Sequence, residues 1–120
     1  MSAWDVEYTD QFGAWWTTLT VDEQRAIAAA VELLERSGPA LGRPLVDTLV
    51  GSRHANMKEL RPPATFLRVL FAFDPRRTAI LLIGGNKERQ WRSWYVEFIP
   101  IADRLLDEHL DELRRDGGSR

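Results

Sequence analysis

The residues whose types and spacing can do chemistry are Glu59 and the cations that follow it along the chain. Met57-Lys58-Glu59-Leu60-Arg61 alternates, so a regular strand puts Glu59 and Arg61 on one face and Lys58 on the other. Arg68 then interrupts the apolar run Phe66-Leu67-Arg68-Val69-Leu70-Phe71-Ala72-Phe73, and Lys87 follows the next apolar segment. A guanidinium stays protonated and is suited to paired hydrogen bonds with phosphate. A carboxylate flanked by guanidinium groups is a workable arrangement for cutting RNA without a metal. That reaction needs a base for the ribose 2′-OH proton, cations for the charge on pentacoordinate phosphorus, and an acid for the leaving 5′-oxygen. In this scheme Glu59 is the base, Arg61, Arg68 and Lys87 form the clamp, and Tyr95 is the acid or a stacking group. The structural alternative is a salt bridge between Arg68 and Glu59, since buried charges have partners. Cations beside a carboxylate also favour its ionised form and weaken it as a base, so Glu59 stands equally as base or as orienter of an arginine.

The aromatic residues Trp91, Trp94, Tyr95 and Phe98 can stack on bases, as in single-strand binders. Spacings of three and four turn one side of a helix inward, so at least two of the four are expected in the core. Lys58, Arg89, Trp91 and Arg92 complete the candidate RNA-contacting set. Arg76 and Arg77 fall in a turn and are expected to be solvated. His54 is expected at a strand edge on the surface, and His109 at a surface or interface.

Composition narrows the classes. The chain has 120 residues, no cysteine and two histidines, which excludes disulfides, thiolate metal sites and a thiol nucleophile and argues against a histidine zinc site. No metal or cofactor is expected. The 44% hydrophobic content fits one folded domain over residues 1–115 with a short tail, Asp116–Arg120, that frays. No apolar run reaches the ~20 residues of a membrane span. The N-terminal MSAWDVEYTD lacks the basic-then-apolar pattern of a secretory leader, so a cytoplasmic protein with no membrane partner is expected. The net charge of −2 hides an asymmetry: residues 1–52 balance to −5, residues 53–92 to +6 and residues 93–120 to −3. A basic middle between acidic flanks can build a local anion-binding surface; the same charges pointing in different directions would only confer solubility.

The elements that must position these residues follow from periodicity and punctuation. Trp4–Thr9 reads as a strand, and Thr9 or Asp10 caps a short helix through Phe12, Trp15, Trp16 and Leu19. Thr20 with Glu23 has capping-box spacing and opens a helix to about Arg36, stopped by Ser37-Gly38-Pro39. Residues 39–52 read as a connector. Ala55–Arg61, Phe66–Phe73 and Thr78–Ile83 read as three antiparallel strands, the last two joined by Asp74-Pro75-Arg76-Arg77. Gly84-Gly85-Asn86 breaks the last strand, Trp91–Phe98 forms a short helix, and Pro100 opens the final one. The fold expected is α+β: an antiparallel sheet packed on the N-terminal helices, with a C-terminal helix. One sheet face is expected to be open and to carry Arg68; side chains scattered, or sealed beneath a helix of the same molecule, would end the reading of an open-face phosphate pocket.

Lys58-Glu59-Leu60-Arg61, Phe66-Leu67-Arg68-Val69-Leu70-Phe71 and Ile83-Gly84-Gly85-Asn86-Lys87 together resemble the phage Gp49-like branch of HigB toxins, within the RelE/ParE superfamily. The resemblance spans roughly residues 3–113. It implies a RelE-like fold and a toxin that cuts mRNA on the ribosome and is neutralised by a HigA-like helix-turn-helix antitoxin. It also implies active-site positions at Glu59, Arg61, Arg68 and Lys87, with Tyr95 where related toxins use a C-terminal aromatic or histidine. On the same fold, ParE-like members imply a different outcome, binding of DNA gyrase, and a phage-derived member without activity is a third. The chain departs from the pattern in having Glu88 after Lys87, where many members carry a second lysine, and in being slightly acidic.

Overall fold

Local signals set the N-terminal half. In this computed structural model, which describes residues 3–88 and 91–118, strand β1 (Asp5–Tyr8) leads into helix α1 (Asp10–Trp16). The Thr9 hydroxyl accepts from the Phe12 N–H at 3.0 Å and donates to the Leu82 carbonyl at 2.6 Å, so one side chain caps the helix and pins it to the sheet. Helix α2 (Val21–Ser37) carries the complete Thr20–Glu23 capping box. It ends at Gly38, whose φ of +55° and contact with the Trp4 indole both exclude a side chain.

The strands β2 (Val46–Thr48), β3 (Lys58–Leu60), β4 (Leu67–Phe73) and β5 (Thr78–Asn86) complete a five-stranded sheet of order β1-β5-β4-β3-β2. All neighbours are antiparallel except β1, which runs parallel to β5. The α+β class is as expected, but several boundaries differ. The connector 39–52 contains β2, three residues that pair with β3 and are too short to show a period. Of Ala55–Arg61, only Lys58–Leu60 is strand. Strand β5 passes through Gly84 and Gly85 instead of breaking there, because the glycines serve close packing and not a turn. A Cβ on Gly84 would lie 2.1 Å from the Trp15 ring, and one on Gly85 would lie 2.3 Å from Trp94 Nε1. Leu70 pairs with Ile83 but Phe71 pairs with Leu81, so Leu82 is the extra residue of a bulge.

Both faces of the sheet are covered, which corrects the expected open face. On one side Phe12, Ile27 and Leu34 of α1 and α2 pack on Val69, Phe71 and Leu81. On the other, Trp94, Ala102, Leu105 and Leu106 pack on Leu70, Ala72, Ile80 and Leu82. The reason lies in the strands: β4 and β5 are apolar on both faces, as in any two-sided sheet, and neither face can be left to water. The covering element is one helix, α3 (Trp91–Gly118), and not two. Pro100 lies inside it on an exposed side, next to the 77% exposed Val96, whose carbonyl lacks the proline N–H and can take water. Residues 116–118, expected to fray, remain in this helix.

Several charged side chains bind this helix to the rest. Buried Asp103 accepts from the Ser52 hydroxyl and from the Arg53 N–H at 3.1 Å. Asp107 holds Arg53 at 2.6 Å and His54 at 2.8 Å. His109 Nε2 meets buried Asp74 at 2.9 Å, and Asp74 also receives the Arg76 guanidinium at 2.7 Å. Both histidines are therefore half-buried partners of aspartates, not surface residues. Nor are the two turn arginines merely solvated: Arg76 also pairs with Glu7, and the Arg77 guanidinium sits 4.1 Å from the Trp4 ring centroid.

Candidate active site

Strand alternation brings the predicted residues together. Glu59 is opposite Leu70 across the β3–β4 ladder, so its side chain lies on the α3 face, two positions from Arg68. Arg68 is in turn opposite Gly85 on β5, and Lys87 follows that strand's end, its N–H donating to the Phe66 carbonyl at 3.0 Å. The first turns of α3 place Trp91 and Tyr95 above them, each ring 5.2–5.4 Å from Lys87 Nζ.

At the centre is a carboxylate with a surplus of cations. Arg61 Nε donates to Glu59 Oε1 at 2.7 Å, and its other end lies 3.6 Å from Asp47 on β2. Arg68 Nε lies 3.9 Å from the same Glu59 oxygen, an ion pair without a hydrogen bond. Its Nη1 instead donates to the backbone carbonyls of Leu67 at 2.7 Å and Thr65 at 3.3 Å. Glu59 Oε2 and Arg68 Nε are buried without a hydrogen-bond partner. Lys87 Nζ reaches the Tyr95 hydroxyl at 3.4 Å.

Burial decides which of these groups a ligand can touch. The Glu59 side chain is 1% exposed and Arg68 13%, whereas Arg61 is 35% exposed. Glu59 is thus sealed under the helix and Arg68 nearly so, which ends the reading of these two as groups that touch a phosphate on an open face and leaves Arg61, which faces the opening, to carry it. The opening is a cavity of about 430 Å³ lined by Arg61, Lys87, Trp91, Arg92 and Tyr95 above Glu59. Burial, then the Arg68 charge, lowers the pKa of Lys87. Burial, then approach to the Glu59 carboxylate short of full hydrogen-bond geometry, pushes Tyr95 up to about 12 and keeps it protonated.

Of the remaining candidates, Arg92 is exposed at the cavity and Trp91 is 60% exposed. Lys58 projects from the opposite face, where it approaches the Thr48 hydroxyl at 3.4 Å, and does not join the cluster. Arg89 lies outside the described residues. Trp94 and Phe98 belong to the core, stacked at 4.8 Å. Sequence reasoning missed Asp47, Leu49, Val50 and Ile99, all of which line the cavity. The first three sit in the segment read as a connector, and only its apolar Leu49-Val50 pair gave any signal. Among the described residues, no three His, Cys, Asp or Glu side chains gather as a metal ion would require. A larger apolar groove of about 590 Å³ lies between α1, α2 and β1, away from these groups.

Solved structures share this architecture. The archaeal RelE of a RelE–RelB complex from Pyrococcus horikoshii superposes with a TM-score of 0.58 at 18% identity, covering 74% of this chain and 99% of that one. A mutant of the Escherichia coli toxin RelE in the free state gives 0.60 at 11% identity, covering 81% and 94%. At such identities the likeness defines the fold: this is a RelE-type α+β domain.

Sequence relatives narrow the class. HigB2 of Mycobacterium tuberculosis (strain ATCC 25618 / H37Rv), named as a candidate toxin, is 51% identical over 104 residues, or 84% of this chain and 52% of that protein. HigB3 of the same strain, similarly named, is 51% identical over 100 residues, or 83% and 88%. The chain thus spans about half the length of HigB2 and most of HigB3. Residues 14–107 match the family described as phage derived protein Gp49-like (DUF891), and the chain belongs to that family as a HigB-like member.

Proposed function

We propose that the chain is the toxin of a type II toxin–antitoxin pair and cuts mRNA with side chains alone at the cavity above Glu59. The observation that carries this reading is the convergence of Arg61, Arg68, Lys87 and Tyr95 around one buried carboxylate. With Lys87 neutral for its part as base, Arg61, Arg68 and Arg92 against Glu59 and Asp47 still leave one positive charge for a phosphate. Arg61 and Arg92, at the opening, meet the phosphate first. Arg68 contributes its field from below, anchored by backbone carbonyls. Glu59 acts as the orienter, because Arg61 already occupies its Oε1 and its side chain is sealed. Lys87, whose pKa is lowered, takes the 2′-OH proton in its neutral form. The 2′-oxygen then bonds to phosphorus as the bond to the 5′-oxygen breaks, and Tyr95 supplies that oxygen's proton. The products are a 2′,3′-cyclic phosphate and a 5′-hydroxyl.

RelE of Pyrococcus horikoshii was solved in complex with RelB, and the Escherichia coli protein in the intact RelBE toxin–antitoxin complex. That likeness supports an antitoxin as the partner of this chain; a HigA-like helix-turn-helix type for it, and mRNA met on the ribosome in the cytoplasm, rest on the sequence resemblance alone. No described helix is long and apolar enough to cross a membrane.

The test is brief induction of the chain in cells with mapping of mRNA 5′ ends. Growth arrest with new ends inside codons, lost in a folded Arg61→Ala variant, is the expected result. Intact transcripts with stalled replication would replace the nuclease reading with gyrase binding.

A further inference from the structure

We propose that Asp47 on β2 is a positioning residue: it fixes the plane of the Arg61 guanidinium so that Nη1 meets the phosphate at the cavity opening. This rests on the reading of the cavity as a phosphate site. Asp47 carries the wrong sign for such a site. It lines the cavity beside Arg61, Lys87 and Arg92, where its charge cancels that of one cation. It also stands directly opposite Glu59 across the β2–β3 ladder. Cβ atoms in that relation lie about 4.5–5.5 Å apart, and like charges there destabilise a sheet. The charge of Asp47 therefore works against both the sheet and the ligand, and what it supplies is a second grip on Arg61.

Arg61 lies between the two carboxylates. Its Nε donates to Glu59 Oε1 at 2.7 Å, and its Nη2 lies 3.6 Å from Asp47 Oδ2. One contact alone leaves the guanidinium free to swing about the Glu59 oxygen. The second, at the far end of the planar fork, fixes its plane. Nη1 makes neither contact and is left for the ligand. Asp47 is itself held at both oxygens: Oδ1 accepts from the Thr48 N–H at 2.9 Å, and Oδ2 from Arg43 Nε at 3.1 Å. Arg43, Asp47, Arg61, Glu59 and Arg68 thus form a row of alternating charges, from an exposed arginine to one beneath the cavity. The 3.6 Å separation is longer than a hydrogen bond, so the grip on Nη2 is by charge, and an uncharged amide of the same shape does not replace it.

Charge alone and positioning give opposite signs for Asp47→Asn. Removing a negative charge from an anion site should tighten phosphate binding and speed cleavage. Loss of the grip on Arg61 should weaken binding and slow cleavage. The test titrates a 2′-O-methyl RNA trinucleotide, which cannot be cut, into the full chain by calorimetry, and follows mRNA cleavage in a translation extract. Nitrogen NMR reads the arginine directly, because Nη1 and Nη2 give separate signals only while rotation about Nε–Cζ is slow. Asp47→Asn should merge the Arg61 signals and weaken trinucleotide binding several-fold. It should slow cleavage by up to about 100-fold, the cost of a group misplaced by about 1 Å, with little change in melting. Asp47→Glu, which keeps the charge, should retain most of all three. An Asp47→Asn chain that binds or cuts as well as the unmodified one, or better, overturns the proposal, and so do Arg61 signals that stay separate. If the unmodified chain neither binds nor cuts RNA while its Arg61 signals merge in Asp47→Asn, the phosphate reading falls and the grip on Arg61 stands without it.

Discussion

Gly85→Ala tests how the cavity gets its shape. The new Cβ would lie 2.3 Å from Trp94 Nε1 and 3.0–3.1 Å from two further indole atoms. Ordinary contact lies near 3.5 Å, so the indole must retreat by about 1.2 Å. It has little room: Trp94 is 2% exposed, stacked on Phe98 at 4.8 Å and edge-on to Tyr95 at 4.9 Å. Overpacking of this kind costs about 1–3 kcal/mol. Alanine in a strand recovers about 0.5–1 kcal/mol relative to glycine. The net loss of up to about 2.5 kcal/mol corresponds to a fall in Tm of up to about 10 °C at this chain length. Because Tyr95 and Trp91 ride on the same helical turns, ligand affinity should fall as well. Gly84→Ala meets Trp15 on the opposite face, so it should cost stability while sparing the cavity. Gly42→Ala has nothing within 4 Å and serves as the control. Thermal melts, near-ultraviolet circular dichroism of the stacked aromatics and trinucleotide titration read the three variants. A Gly85→Ala protein that melts and binds like Gly42→Ala would refute the idea that Trp94, seated on Gly85, sets the position of α3.

Other perturbations follow from the same geometry. Glu59→Ala leaves Arg61, Arg68 and Lys87 facing one another without a carboxylate and should cost about 3–5 kcal/mol by denaturant titration, with Glu59→Gln in between. Tyr95→Phe should lower the cleavage rate by about 10²–10⁴-fold with little change in melting, and the unmodified chain should show no loss of rate from tyrosine ionisation until pH approaches about 12. Burial opposes ionisation of Asp74, but hydrogen bonds from Arg76 and His109 outweigh it and hold the carboxyl below its ordinary range. Its folded pKa lies below its unfolded one, so its contribution is present above about pH 4 and is lost as pH falls further. Asp74→Asn should flatten that acid limb in melts.

What could be read from the sequence depended on how local the cause was. The Thr20–Glu23 box and the Thr9 cap were legible because each is settled within four residues. The Glu59–Arg61–Arg68 grouping was legible because alternation and ladder pairing are regular there. Lys87 was legible from its place just past the strand's end and Tyr95 from its type, the resemblance pointed to the same two positions, and the structure brings both to one cluster. The errors share another origin. Gly84-Gly85 and Pro100 look like breaks when read locally, yet one is made by indoles packing from two sides and the other is tolerated on an exposed helical face. Strand β2 exists only because β3 gives it a partner. The covering of the Arg68 face depends on α3 running unbroken from Trp91 to Gly118, which no residue near Arg68 announces.

The charge pattern gains a physical meaning once the fold is known. The +6 segment, residues 53–92, builds β3, β4, β5 and the start of α3, so its cations Arg61, Lys87 and Arg92 meet at one cavity, with Arg68 beneath it beside Glu59. Other cations of the segment are occupied elsewhere: Arg53 by Asp107 and Arg76 by Asp74 and Glu7. The acidic flanks supply α2 and the later turns of α3, where Asp103 and Asp107 hold the cavity's outer wall, while Asp47 on β2 enters the cavity 3.6 Å from Arg61. At physiological ionic strength fields fade over about 8 Å. A polyanion therefore responds to the cavity and little to the net charge of −2. Such a protein should not adhere to nucleic acid at large, as a uniformly basic one does; its attraction begins only where a phosphate can enter beside Arg61.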